Sequence, residues 1–143
     1  MNVLKVVRRM HRAAREIVAL VERAAAAEGL SAAELDVLSV LLERGPATVS
    51  EVLGEGDYKP STLTSILDRL AARRWITREV RAADRRSFVV ALTGEGRRAA
   101  RALQARLAPL EREIARRVPR ADVEAVLGLP ARLDALRRTG DAL

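Results

Sequence analysis

Three helix-start signals in close succession constrain the fold of this chain more than any other feature of its sequence. Ser31-Ala32-Ala33-Glu34 and Thr48-Val49-Ser50-Glu51 have the spacing of a capping box, in which hydroxyl and carboxyl groups bind free N–H groups at a helix N-terminus. Pro60 suits the first position of a third helix. Gly54 and Gly56 are expected to cut the second helix short. This part of the chain should therefore form three short helices in a row.

The third helix, within YKPSTLTSILDRLAARRW, has two different faces. One is an apolar stripe, typical of a buried face, that consists of Leu63, Ile66, Leu67 and Leu70. The other carries short hydroxyl side chains, which are Ser61, Thr62, Thr64 and Ser65. Short polar groups let a helix lie deep in a DNA groove and hydrogen-bond base edges and phosphates. They also suit a helix packed on another protein helix, so both interpretations stay open.

Two segments rich in β-branched and aromatic residues follow and predict a β-hairpin. Trp75–Val80 and Phe88–Leu92 would be its strands, and residues 81–87 would be the loop between them. This loop would present three arginines, Arg81, Arg85 and Arg86. Asp84 is expected to pair with Arg86 and fix the direction of its guanidinium group. A helix-turn-helix followed by such a wing places its second helix in the major groove and the wing beside it.

The positive charge of the chain is concentrated in the same region. The 143 residues have a formal net charge of +7, and the segment from Lys59 to Arg101 alone contains eleven basic and four acidic residues. Such a concentration is expected of a surface that binds a polyanion, although a solvated basic face remains an equal alternative. The residues expected to contact DNA phosphates are Lys59, Arg69, Arg73 and Arg74.

Long amphipathic helices are expected on both sides of this centre. Apolar residues at helical spacing predict a helix from about residue 3 to 27, and a leucine seam predicts another after the N-cap residue Thr93. Pro109 should kink or break that helix. A last helix is expected from about 120 to 138, with a bend at Pro130. The seams are typical of helices that pack against other helices.

The composition argues against several classes of protein. The chain has no cysteine and one histidine, His11, which excludes disulfides and thiol chemistry and makes a metal site improbable. No nucleophile–base pair or phosphate-binding loop is evident, so we expect neither catalysis nor a cofactor. No apolar run has the length of a membrane span and no signal peptide is evident, so we expect a cytoplasmic protein without a membrane partner.

Five sequence stretches resemble the MarR family of bacterial winged-helix regulators. In order through residues 30 to 98 they are LSAAELDVLSVL, PATVSEVL, PSTLTSILDRLAARRWITR, DRRS and LTGEGRR. The pairing of Asp-x-Arg with the following Leu-Thr-x-x-Gly-Arg is the strongest element, whereas PATVSEVL alone is also similar to the beta-lactamase repressor group. The resemblance implies a mostly α fold with a small two- or three-stranded β wing, that is, a winged helix-turn-helix flanked by N- and C-terminal dimerisation helices.

The resemblance also implies roles for individual residues. Arg86 would be the wing arginine that contacts DNA, Asp84 would support it, and Arg78 would stand at the start of the wing. The four hydroxyl residues would lie on the recognition helix. Arg74 stands where the family often has glycine.

The resemblance further implies a homodimer. Residues 1–28 and 100–143 would form the dimerisation helices around a winged-helix region at 31–98, within a single domain of residues 1–143. The residues expected at the interface are Val3, Val7, Met10, Leu107, Leu110, Ile114, Leu133 and Leu136. Many relatives bind small aromatic acids between these two regions, although an effector of that type is questionable in a chain this poor in aromatic residues.

The leading hypothesis is a homodimeric repressor that binds double-stranded DNA at a pseudo-palindromic operator. A small-molecule effector of unknown identity would release the DNA by favouring a dimer with wrongly spaced recognition helices. The alternative is a winged-helix protein-interaction module that docks an acidic partner. Absence of DNA binding at low salt would favour this alternative.

Overall fold

The computed structural model describes residues 1–56, 58–81 and 84–138, and it leaves the side chains of residues 81, 84–87 and 136–138 undescribed. Two compact units divide the chain, Met1–Leu107 and Ala108–Leu143. The elements are α1 (Val3–Ala25), α2 (Ala32–Arg44), β1 (Ala47–Thr48), α3 (Val49–Glu55), α4 (Pro60–Ala72), β2 (Ile76–Arg81), β3 (Asp84–Leu92), α5 (Gly94–Arg117) and α6 (Arg120–Arg138). The expectation of a mostly helical fold with a small sheet is confirmed. None of the helices in the described ranges has the length and apolar character that crossing a membrane requires.

Both capping boxes form at the expected helix starts. In the first, the Ser31 hydroxyl accepts the Glu34 N–H at 3.2 Å while the Glu34 carboxylate accepts the Ser31 N–H at 2.8 Å. The box at Thr48 has the same reciprocal bonds. Gly54, however, does not end the second short helix, which continues to Glu55. Glycine costs a helix about 1 kcal/mol relative to alanine, and such a cost does not by itself end a helix.

The sheet is antiparallel, with the strand order β1-β3-β2. Its short first strand, paired through Ala47 and Val90, was not identified as a strand in the sequence. The prediction that residues 81–87 form a loop is wrong, because β2 extends to Arg81 and β3 begins at Asp84. The pairing of the two strands has a register irregularity between Val80 and Arg81. Ladder hydrogen bonds join backbone groups, so charged side chains do not prevent pairing.

The core of the first unit lies between α2, α4 and the sheet. Its fully buried large side chains include Leu38 and Leu41 of α2, Leu63 and Ile66 of α4, and Val90 of β3. Burying each such side chain contributes about 1.5–3 kcal/mol. The apolar stripe predicted for the third helix therefore packs as expected, and this packing fixes which face of α4 is exposed.

The start of α5 is fastened to the base of the hairpin. The Thr93 hydroxyl accepts the Gly96 N–H at 2.9 Å and donates to the Arg74 carbonyl at 2.8 Å, which confirms Thr93 as the N-cap. A Cβ atom on Gly96 would overlap the backbone carbonyl of Trp75. Pro109 lies inside α5 and does not break it. Helix α6 spans the expected residues, with Pro130 inside it.

Candidate nucleic-acid interface

Helix α4 exposes its hydroxyl face while its apolar stripe is buried. The exposed residues are Ser61, Thr62, Thr64 and Ser65. The Thr64 hydroxyl donates to the Pro60 carbonyl at 3.0 Å, and the Ser65 hydroxyl donates to the Ser61 carbonyl at 3.1 Å. Each of these two oxygens can therefore accept a hydrogen bond from a base amino group without losing its bond to the helix.

Arg69 is held against the winged-helix core by a carboxylate. Its Nε donates to Glu34 Oε1 at 2.8 Å, and Glu34 is only 4% exposed. Burial raises the pKa of Glu34, but hydrogen bonds from Ser31 and Arg69 and the charge of Arg69 outweigh burial, so the net pKa is below its ordinary value. The guanidinium stays half-exposed and is oriented by a group that remains charged at neutral pH.

Arg73 mainly stabilises the fold. Its guanidinium donates to the carbonyls of Glu28 and Gly29 at 3.0 and 3.2 Å, and it lies 5.2 Å from the centroid of the Trp75 ring. These contacts tie the end of α4 to the chain segment that follows α1. Because two of its five N–H donors and one face of the guanidinium are used within the chain, Arg73 has fewer donors left for a phosphate.

Arg78 joins the hairpin to α4. Its Nη2 donates to Asp68 Oδ1 at 2.7 Å. Arg78 also lines a cleft of about 380 Å³ together with Thr64 of α4, Phe88 of β3 and the start of α3. Helix α4 and the base of the hairpin thus share one concave surface, in which a hydroxyl, a guanidinium and an exposed aromatic ring lie together.

Lys59 and Arg74 are the basic residues of this surface with the freest side chains. Both are exposed, and in the described ranges neither makes a side-chain hydrogen bond or an ion pair. Arg74 has a left-handed backbone with φ of 59°. This is the conformation that glycine adopts without steric cost, and it accounts for the glycine that the resemblance leads one to expect at this position.

The side chains of the predicted wing tip lie outside the described residues. This applies to Arg81, Arg85 and Arg86, and to the expected pairing of Asp84 with Arg86. The backbone of residues 84–86 belongs to β3. The roles of these four side chains therefore stay predictions.

The residues predicted at the dimer interface differ in how exposed their side chains are. Val3, Val7 and Met10 on α1, and Leu133 on α6, are exposed. Leu107, Leu110 and Ile114 on α5 are partly buried, and the side chain of Leu136 is outside the described residues. Leu107 lines a cleft of its own chain beside α1 and α2. The interface assignment stays a prediction for all eight residues.

One side-chain pair near α4 was not found from the sequence. The Tyr58 hydroxyl, in the turn before α4, donates a hydrogen bond to the Asp36 carboxylate on α2. The two residues are 22 positions apart, and no local pattern links a loop tyrosine to a distant carboxylate. The contact depends on the packing of the turn against α2.

Comparison with known proteins agrees with this geometry. The family model described as the MarR family matches residues 28–87, the region that contains α2, α3, α4 and most of the hairpin. Over these residues the chain is similar to the MarR family. The match begins before the first capping box and ends inside β3, so it includes the exposed face of α4 and the Arg78–Asp68 pair beside it.

Individual MarR-family proteins are similar over different lengths. The HTH-type transcriptional repressor MdtR of Bacillus subtilis is 38% identical over 69 residues, which are 48% of this chain and 44% of MdtR. The chain thus spans less than half of that curated relative. A mutant MarR of E. coli complexed with operator DNA has a TM-score of 0.79 at 20% identity, covering 92% of this chain and 94% of its own. BpsR of Bordetella bronchiseptica, whose DNA binding is regulated by 6-hydroxynicotinic acid, has a TM-score of 0.75 at 25% identity, covering 96% and 94%.

Proposed function

We propose that this chain is a homodimeric DNA-binding transcription regulator that represses from a pseudo-palindromic operator. The observation that carries the proposal is the exposed hydroxyl face of α4, because the buried stripe on the opposite side leaves only this face available to a ligand. Helix α4 would lie in the major groove, and the hairpin would reach the adjacent backbone or minor groove.

The basic residues would contribute unequally to DNA affinity. Lys59 and Arg74 have free side chains and would bind phosphates directly. Each contact would steepen the slope of log affinity against log salt concentration by about 0.9. Arg69 and Arg78 would approach DNA with their guanidinium groups already oriented by Glu34 and Asp68. A fixed guanidinium loses less conformational entropy when it binds a phosphate.

A dimer would explain the unusual exposure of α1. Val3, Val7 and Met10 lie on one side of this helix at 60%, 40% and 42% exposure, a large apolar stripe for a surface helix. Pairing with a second copy would cover it and place two recognition helices at half-sites about 34–36 Å apart. Repression and control by an effector are supported by the relatives: MdtR is named a repressor, and BpsR responds to a small molecule.

The first experiment is fluorescence anisotropy of the protein with the intergenic DNA that flanks its own gene, with scrambled DNA as control, over a salt titration. Selective binding at physiological salt with a steep log–log slope is the expected result. Arg86→Ala should weaken operator binding by about 1–3 kcal/mol if Arg86 makes a defined groove contact. Arg112→Ala, at an exposed position on α5, is the matched control and should bind like the parent.

An interaction with another protein is the second candidate. Val80 and Phe88 are cross-strand partners on the hairpin and are 55% and 45% exposed, an apolar pair that would suit a protein surface. Failure to bind any DNA at low salt would favour this candidate over the regulator.

A further inference from the structure

The first half of α1 carries a second concentration of positive charge, far in sequence from the one in the winged-helix region. Residues 1–15 contain four arginines and one lysine but no aspartate or glutamate. All five basic side chains are exposed, and they are Lys5, Arg8, Arg9, Arg12 and Arg15. The first residue of α1 that packs on the core is Val21, about 9 Å further along the helix axis than Arg15. The charge therefore lies on a part of the helix that the core does not cover.

Four of these side chains form one row along the helix. At about 3.6 residues per turn, the four fall within an arc of about 80° and extend over about 15 Å of the helix axis. They are Lys5, Arg8, Arg12 and Arg15. The apolar stripe that contains Val3, Val7 and Met10 lies outside this arc. A second copy of the chain bound to that stripe therefore need not cover the basic row.

The row has no counter-charge of its own. In the part of the chain that the structure describes, none of its four side chains forms an ion pair, whereas Arg69 and Arg78 each pair with a carboxylate. Arg8 and Arg12 are four positions apart, and Arg12 and Arg15 are three, which are spacings at which like charges on a helix repel each other. The first turn of α1 has no acidic residue, so the helix dipole opposes this charge as well. A bound polyanion would offset both effects.

The row also has the chemistry and the length that a chain of phosphates requires. Arg8, Arg12 and Arg15 border a depression of about 500 Å³, together with His11 and Ala14. A guanidinium group binds a phosphate through two parallel hydrogen bonds. One strand of duplex DNA carries a phosphate about every 3.4 Å along the helix axis, so a row of about 15 Å faces several phosphates. Such a row fits a phosphate polymer better than a small anion.

We propose that the basic row of α1 binds the phosphate backbone of duplex DNA outside the groove that α4 would occupy. The contact is independent of sequence, because phosphates carry no information about the bases. The choice of DNA rests on the proposed function, since a chain that binds an operator is surrounded by other duplex DNA. An anionic membrane fits the row less well, because a helix at a membrane surface inserts its apolar face, and the proposed dimer would cover that face.

The test removes three charges of the row from a protein whose α4 surface is already weakened. Lys59→Gln/Arg74→Gln is the background, because it lacks the two proposed phosphate contacts beside α4. Arg8→Gln/Arg12→Gln/Arg15→Gln is then added to it. Fluorescence anisotropy with a scrambled duplex, over a salt titration, is the measurement. The slope of log affinity against log salt concentration should become shallower by about 2.7, and affinity at about 0.1 M salt should fall about 100-fold.

A matched control separates the row from the net charge of the chain. Arg112→Gln/Arg116→Gln/Arg117→Gln, in the same background, removes an equal charge from exposed positions of α5. It should keep the salt slope of the background, because no phosphate contact is lost. Equal losses of slope in the two triple variants would overturn the assignment to the row.

Stability and association of the α1 variant give independent readouts. Because like charges are removed, it should unfold at no lower temperature than the background. It should also sediment like the background. If it became monomeric while the α5 control stayed dimeric, the arginines would pair with a second copy of the chain and the inference would be wrong.

The remaining outcomes distinguish this inference from the proposed function. An unchanged salt slope in the α1 variant would overturn the inference and leave the operator-binding role of α4 intact. Binding of the parent to phosphatidylglycerol vesicles that is tighter than its binding to the scrambled duplex, and that the α1 variant loses, would assign the row to a membrane instead. The expected loss of slope in a protein that selects no operator would support the inference while the proposed function fell.

Discussion

Arg74 combines a backbone cost with a proposed contact to DNA. Its φ of 59° is the one positive value outside glycine in the described ranges, and its N–H nevertheless bonds the Ala71 carbonyl at 2.8 Å to close the end of α4. A left-handed conformation costs a residue with a Cβ atom about 1–2 kcal/mol. Glycine would avoid that cost but could not bind a phosphate, so the proposed phosphate contact would be the function of the arginine.

Arg74→Gly should therefore raise the free energy of unfolding and lower DNA affinity. The expected gain in stability is about 0.5–1 kcal/mol, because relief of the strained backbone exceeds the added entropy of the unfolded chain. The salt slope should decrease by about 0.9 through loss of one phosphate contact. Urea unfolding and anisotropy measure the two effects. Arg74→Ala is the control that loses the charge and keeps the strain; equal stability of the two variants would contradict the account.

Glu34 links the first capping box to Arg69 and makes stability depend on pH. Because its pKa in the folded protein is below the ordinary 4.5, its contribution is complete above that pH and is lost as pH falls through the lowered value. Glu34→Gln keeps an acceptor for Ser31 but loses the charge. We expect it to be about 1 kcal/mol less stable at pH 7.

The difference in free energy of unfolding between Glu34→Gln and the parent protein should become smaller as the pH falls below 4.5. Urea unfolding at several pH values measures this difference. Glu113→Gln is the comparison at an exposed site. There the hydrogen bond from Arg116, followed in size by the one from Arg117, lowers the pKa of the Glu113 carboxyl group. Its effect on stability should be small, since solvent screens exposed ion pairs. A difference for Glu34→Gln that stays constant down to about pH 3 would refute the linkage.

At the scale of elements, the junction between hairpin and α5 depends on the absence of one side chain. Gly96 has no space for a Cβ atom beside the Trp75 carbonyl, whereas Gly94 has no atom within 4 Å of its Cβ position. Gly96→Ala should lower the free energy of unfolding by about 1–3 kcal/mol or more, because backbone must move. Gly94→Ala should be neutral or stabilising by up to about 1 kcal/mol. Thermal unfolding of both variants is the measurement; similar melting temperatures would contradict this packing.

Some of these elements could be predicted from the sequence and others could not. The starts of α2, α3 and α4 were predicted because caps and Pro60 act on neighbouring residues, and the buried face of α4 followed from its period. The length of the hairpin and the strand β1 were not predicted, because strand pairing joins backbone groups that are distant in the sequence and leave no local pattern. Two ion pairs, Arg69–Glu34 and Arg78–Asp68, likewise depend on tertiary packing and left no local pattern in the sequence.

At the scale of the whole molecule, helix α1 has exposed apolar side chains in the part of the chain that the structure describes. Helix α1 is exposed from its first residue, Val3, to residue 20, and only its end packs on the core, through Val21 and Ala25. In proteins most of the stability of an amphipathic helix comes from packing of its apolar face. The proposed second copy of the chain would supply such packing, and a dimer would match the two-fold symmetry of the proposed operator.

Met10→Glu tests the dimer directly. A carboxylate in the apolar stripe should prevent association, because burying it without a partner is costly. Sedimentation equilibrium should then give a monomer, and operator affinity should fall about 100-fold or more through loss of the second half-site. Arg12→Gln is the control, since Arg12 lies on the opposite side of the same helix and should leave the dimer intact. A Met10→Glu protein that sediments as a dimer would place the interface elsewhere on the chain.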